Sequence, residues 1–176
     1  MPGMGNPPDA ASQMAALVDR LLQYSIAGID GLSVEQLCDT QGARTNSIGW
    51  DVWHVVRTVD NIVHFVFERE QPVWLRDSFD ERWELPRVDQ GTNDAYSLRF
   101  PEPAEFNRYT LAVRDAVVPR IRAMSNDYLG TVQTIRPWGD VPRVEAMGHG
   151  LVGHGNGHLG RVSYERTLLG LKGLGY

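Results

Sequence analysis

Five histidines, His54, His64, His149, His154 and His158, are the residues of this chain with the clearest potential for chemistry. An α-helix turns about 100° per residue, so positions four apart share a face. His154 and His158 have that spacing and continue an apolar stripe of Met147, Leu151 and Val162. This predicts two imidazoles side by side on the inward face of one helix. A second run offers a third imidazole. Trp50, Asn61 and Phe65 share the face of His54 at i−4, i+7 and i+11, so His54 points inward between aromatic side chains. His64 lies roughly 80° off that face, and His149, five residues before His154, points well away from the pair. Three neutral imidazoles, His54, His154 and His158, suit one divalent metal ion. Zinc, nickel and iron(II) all suit such a set, and positions stay open for water or substrate. Taken singly, each histidine is equally a hydrogen-bonded core residue.

Six glycines, Gly148, Gly150, Gly153, Gly155, Gly157 and Gly160, crowd around the histidine pair. Each costs a helix interior roughly 1 kcal/mol relative to Ala. Close helix approach or room for a ligand would offset that penalty; otherwise the stretch is partly non-helical. Gly148, Gly150 and Gly153 also spell a dinucleotide-binding G-x-G-x-x-G. No clear strand precedes them, however, and Gly173 stands where the acidic residue belongs, which excludes that use. Asp51, about 60° from His54 on its helix, reads as a residue tuning the site or as one half of an ordinary ion pair. Arg57 reads as a carboxylate binder or, again, an ion-pair partner. The single cysteine, Cys38, lies in an apolar stretch and reads as packing.

Four helical segments must position these residues. The first runs from about Ala10 to Ile29, with Leu17, Leu21, Tyr24 and Gly28 on one face. Ser33 and Gln36 form a capping box for a short turn after it. The second runs from about Ser47 to Arg69 behind Asn46 as cap. The third runs from about Pro103 to Met124, with Phe106, Val113, Val117, Ile121 and Met124 inward and a kink or split expected at Pro119. The fourth runs from about Pro142 to Leu171, its stripe extending to Leu169. A long connection, 70–102, separates the second and third, and in an all-α four-helix bundle it serves as a crossover. Its Trp74 and Trp83 are candidates to cover an apolar substrate. No strand–turn–helix alternation is evident, which argues against an α/β fold.

Length and composition fit one globular domain, 10–176, behind a Pro- and Gly-rich N-terminus, 1–9, expected to fray. The formal net charge is −5, and no helix carries a run of basic residues, which argues against nucleic acid as a partner. Sixteen of the 17 cationic residues are Arg, a bias that hints at a GC-rich bacterial genome. A lone cysteine, no signal sequence and no membrane-length apolar stretch predict a soluble, cytoplasmic protein.

Two blocks carry a resemblance to a known family. Ser47-Ile-Gly-Trp-Asp-Val-Trp-His54-Val-Val-Arg57 resembles the second-helix signature of the DinB-like (damage-inducible protein B) superfamily. The stretch from His154 through His158 to Gly173 resembles its last helix, with an H-x-x-x-H pair and a Leu-Gly-rich tail. The resemblance implies an up-down-down-up bundle and assigns the three metal ligands to His54, His154 and His158. It also implies a homodimer acting on a small-molecule substrate. The activity it points to is that of metal-dependent S-transferases or isomerases using mycothiol, bacillithiol or glutathione. The larger mycothiol-dependent maleylpyruvate isomerases have a C-terminal domain not matched here. Two other functions fit the same residues: a hydrolase or cyclase using metal-bound water, and a non-catalytic small-molecule or metal-binding module.

Overall fold

Four helices begin on side-chain caps. Asp9, Ser33, Ser47 and Ser125 each accept a hydrogen bond from the backbone N–H three residues on, which fixes where the helices that follow them start. The computed structural model describes residues 9–42, 44–87, 96–136 and 138–175. In chain order these form α1 (Ala10–Ile29), α2 (Val34–Leu37), α3 (Ile48–Asp60), α4 (Val73–Arg76), α5 (Phe79–Trp83) and α6 (Pro103–Arg122). They are followed by α7 (Asn126–Gly130), β1 (Val132–Ile135), β2 (Gly139–Pro142), α8 (Arg143–Glu145) and α9 (His154–Leu168). Two π-helical segments continue the helices nearest the histidines. One, Asn61–Phe67, extends α3, and the other, Ala146–Gly153, leads into α9. The fold is mostly helical. α1 packs on α3, α6 and α9, and α3 packs on α6 and α9 as well.

The core forms where the helical stripes meet. Ala15, Val18, Leu22 and Ile29 of α1 are buried, as are Phe106, Val113, Val117 and Ile121 of α6. Leu21 and Gly28 of the predicted α1 face are buried, but Leu17 is 42% exposed, because the buried stripe runs through Val18, Leu22 and Ile29 instead. The capping box of Ser33 and Gln36 is formed. The cap of α3 is Ser47, not Asn46, whose amide donates instead to Asp51. Pro119 neither ends nor divides α6, because it falls in the last turn, where few backbone bonds remain to be lost.

The connection between α3 and α6 is core rather than cover. Trp74, Phe79 and Trp83 are buried: Trp83 stands edge-on to Trp74, Phe79 and Tyr109 of α6, Trp74 stands edge-on to Tyr109 and lies parallel to Phe79, and Trp83 also meets Phe106. Fully burying such a ring stabilises the fold by roughly 1.5–3 kcal/mol, so Trp74 and Trp83 are held inside and do not close over a substrate. Cys38 is buried too, and its sulfur accepts from the Phe100 N–H. The antiparallel hairpin β1–β2, with Val132 opposite Pro142 and Ile135 opposite Gly139, was not expected from helical periodicity. Its residues carried a usable signal: a β-branched run, Val132-Gln-Thr-Ile135, followed by a turn ending at Gly139, whose φ of +80° favours glycine. Residues 1–8 and 88–95, parts of the expected fraying terminus and of the crossover, lie outside the described residues. Asp9, placed in that terminus by sequence, is the α1 cap.

Candidate metal centre

His54 comes from α3, and His154 and His158 open α9; the packing of these two helices brings the three rings together. The Nε2 of His154 is 3.4 Å from that of His54 and 3.0 Å from that of His158. Nitrogens bound to one ion at about 2.1 Å lie about 3.0 Å apart in an octahedral arrangement and about 3.4 Å apart in a tetrahedral one, so the spacing fits a shared metal. A ligand atom from each of the three residues falls within 4.8 Å of the other two, and no other such group of His, Cys, Asp or Glu occurs among the described residues. Trp50 lies flat against His54, with centroids 4.7 Å apart and planes 8° from parallel, which limits the ring's rotation.

Asp51 sets the tautomer. It is fully buried and receives Nδ1 of His158 at 2.8 Å. A carboxylate only accepts, so the proton sits on Nδ1 and the Nε2 lone pair faces the other imidazoles. Arg161 donates to both Asp51 oxygens, at 3.0 and 2.8 Å. Burial pushes the Asp51 carboxyl up, but the hydrogen bonds from His158 and Arg161 outweigh it and leave the group below its ordinary value. Burial, then the neighbouring His158 and His54, lower His154 to about 4. Burial also lowers His158, against the pull of Asp51. Both imidazoles are therefore neutral at pH 7, the state a metal requires.

The remaining candidates separate cleanly. His64 is buried and its Nδ1 reaches Asp60 at 2.8 Å, away from the cluster. His149 is exposed and stands edge-on to Trp138. Arg57 is 6% exposed, donates to the backbone oxygen of Arg87, lies over the Trp74 ring and faces Asp60 at 3.9 Å, so it is an ion-pair partner. The glycine-rich stretch is helical throughout. A Cβ on Gly155 would come within 2.8 Å of Leu21, and one on Gly150 within 2.2 Å of the Trp138 ring, so these two glycines permit close approach. Gly148, Gly157 and Gly160 have nothing nearby that would exclude a side chain.

His54 and His154 line a cleft of about 640 Å³ that also takes Asn61 and Phe65 from the first π-helical segment, as the helical face around His54 predicted. Its other wall is the hairpin, through Thr134, Ile135, Arg136 and Trp138, residues that sequence reasoning did not connect to the site.

This mostly helical chain gathers three imidazoles from two packed helices beside an open cleft, a group that could hold a metal ion. The model of the DinB superfamily matches residues 17–162, and the chain is a member of that superfamily. The crystal structure of a conserved protein from Enterococcus faecalis has the same fold, with a TM-score of 0.78 at 16% identity over 93% of this chain and 99% of that one. Comparison with curated protein sequences gives no match.

Proposed function

We propose that this chain is a metal-dependent enzyme of the transferase or isomerase type that works with a low-molecular-weight thiol, mycothiol being the first to test. His54, His154 and His158 hold its single divalent ion, zinc before nickel or iron. The observation that carries the metal is the set of three Nε2 atoms at 3.0 and 3.4 Å beside an open cleft. The thiol rests on kinship with thiol-dependent members of the superfamily. An ion held there supplies a Lewis acid that lowers the pKa of a thiol or water reaching it. Asp51 keeps the proton of His158 on Nδ1, and Trp50 fixes the plane of His54. Ile62, Val66 and Leu75 give the cleft an apolar wall that accommodates an electrophile and displaces water.

In this reading α1, α3, α6 and α9 are the four members of an up-down-down-up bundle, which their mutual packing supports. The protein is a cytoplasmic homodimer; Tyr164 and Leu168, adjacent on α9 and 65% and 56% exposed, favour burial against a second copy. No described helix is long and apolar enough to cross a membrane.

The test is metal analysis followed by cobalt substitution. One divalent ion per chain is expected, together with sulfur charge-transfer bands on adding mycothiol, with glutathione and bacillithiol as controls for selectivity. A cobalt protein spectrally indifferent to all three thiols at millimolar concentration overturns thiol transfer and favours the hydrolase or cyclase reading. A chain that retains no metal overturns both.

A further inference from the structure

The cleft beside the three histidines has a charge opposite to that of the protein around it. The chain has 22 acidic and 17 basic residues. Yet Arg57, Arg69, Arg87 and Arg136 line the cleft, and no Asp or Glu does so among the described residues. Two of the four are neutralised locally: Arg57 faces Asp60 at 3.9 Å, and Arg87 faces Asp80 at 3.5 Å. Arg69 and Arg136 have no carboxylate partner among the described residues. Arg69 follows the first π-helical segment, and its backbone lies in the left-handed region, at φ +60°, which non-glycine residues adopt only at a cost. Its guanidinium lies over the Phe65 ring, 5.7 Å from the centroid. Arg136 follows β1, and β1 packs against that π-helical segment. Two cations from sequence-distant elements thus share one cleft with Phe65, Trp138 and Ile62 and with the imidazoles of His54 and His154.

We infer that the cleft binds an organic anion with an apolar body, its charged end taken by Arg69 and Arg136 and its body laid along Phe65 and Trp138 toward the histidines. This rests on the proposed metal-centre reading and names the substrate class for it. A planar guanidinium pairs with carboxylate or phosphate through two parallel N–H donors, and partial exclusion of water by the aromatic walls strengthens each bond. The apolar wall selects against small, fully hydrated anions, since nothing then replaces their water.

The experiment uses 3-phenylpropionate, its neutral amide and phenyl phosphate as probes. Binding is read by titration calorimetry on metal-loaded protein and, in parallel, on chelated protein. The acid should bind about tenfold or more tightly than the amide, since a charge-assisted hydrogen bond contributes about 1.5–3 kcal/mol. Arg69→Gln and Arg136→Gln should each remove most of that preference and leave the metal content unchanged. Tighter phenyl phosphate assigns the anion as a phosphate ester, and tighter phenylpropionate as a carboxylate; either supports an anion site. Equal affinity for acid and amide, no binding of either at millimolar concentration, or an acid preference intact in the Arg69→Gln/Arg136→Gln double variant overturns it. Failure of the metal reading shows separately, as a loaded sample without metal, while the acid–amide difference is still read on the chelated protein.

Discussion

Helix α3 carries two buried carboxylates, Asp51 and Asp60, and each takes Nδ1 of a histidine at 2.8 Å, yet only one of these pairs faces a site. Asp60 also accepts the N–H groups of Val73 and Trp74 and the hydroxyl of Tyr109, all at 2.9 Å, so it ties α3 to α4 and α6. The far nitrogen of its partner, Nε2 of His64, is buried and has no hydrogen-bond partner among the described residues. Asp51 ties α3 to α9, and the far nitrogen of its partner, Nε2 of His158, meets the other two imidazoles. A carboxylate–histidine pair is therefore not a site by its own geometry. What lies beyond the second ring nitrogen decides whether the pair only fastens helices or also offers a nitrogen that could hold a metal.

The largest effect that tests this contrast is expected at Asp60. Asp60→Ala strips Arg57 and two backbone N–H groups of their acceptor inside the core, and loss of such a buried partner costs about 3–5 kcal/mol. Urea unfolding measures it; a loss below about 1 kcal/mol would show that Asp60 is no fastening. Next is the comparison of His158→Ala with His64→Ala by zinc competition. The first should weaken zinc on the order of a hundredfold or more, and the second should leave affinity per folded chain near wild type. Equal losses would erase the distinction between the pairs. Asp51→Asn should be milder, about tenfold to a hundredfold in metal affinity with the fold retained, because it releases the His158 tautomer without removing a ligand.

The smallest effect is a pH dependence beside Asp51. Burial raises the carboxyl of Glu165 from 4.5 to about 7, so the folded chain binds this proton more tightly than the unfolded one. Its contribution to stability is present below pH 4.5 and is lost as pH rises to about 7. His154, lowered from 6.5 to about 4, acts in the opposite sense in the metal-free protein: its contribution is present above 6.5 and lost as pH falls toward 4. The two oppose each other in the wild type. Chelated Glu165→Gln protein should therefore gain roughly 1 kcal/mol over wild type above pH 7, and little near pH 4.5, when melting is followed across pH. A gain independent of pH would assign the effect to packing instead.

Much of the helical frame was legible in sequence because short-range rules govern it. The bounds of α1, the Ser33 capping box and the buried positions of α6 all follow from local caps and a 3.6-residue period. The choice of His54, His154 and His158 over His64 and His149 follows the same way, since a helix presents its faces by angle alone. The π-helical segments flanking the site were not legible, because an extra residue per turn leaves no simple mark in composition. The hairpin left only a short β-branched run, Val132-Gln-Thr-Ile135, which a two-stranded ladder needs a partner segment to turn into structure.

The sequence by itself determined which side chains share a helical face, the pair His154 and His158 among them, and its two motif blocks carried the resemblance to the superfamily. Only tertiary packing decided what meets across helices. Asp51 becomes a partner of His158 and Arg161 through residues more than a hundred positions away. No basic run exists along the chain, yet Arg69 and Arg136 come to line one cleft because β1 packs on the end of the α3 extension. Local conformation is set by neighbours within a turn or two of backbone, whereas a site is made of contacts between distant segments. Those contacts depend on the burial of the whole core, which no local pattern encodes.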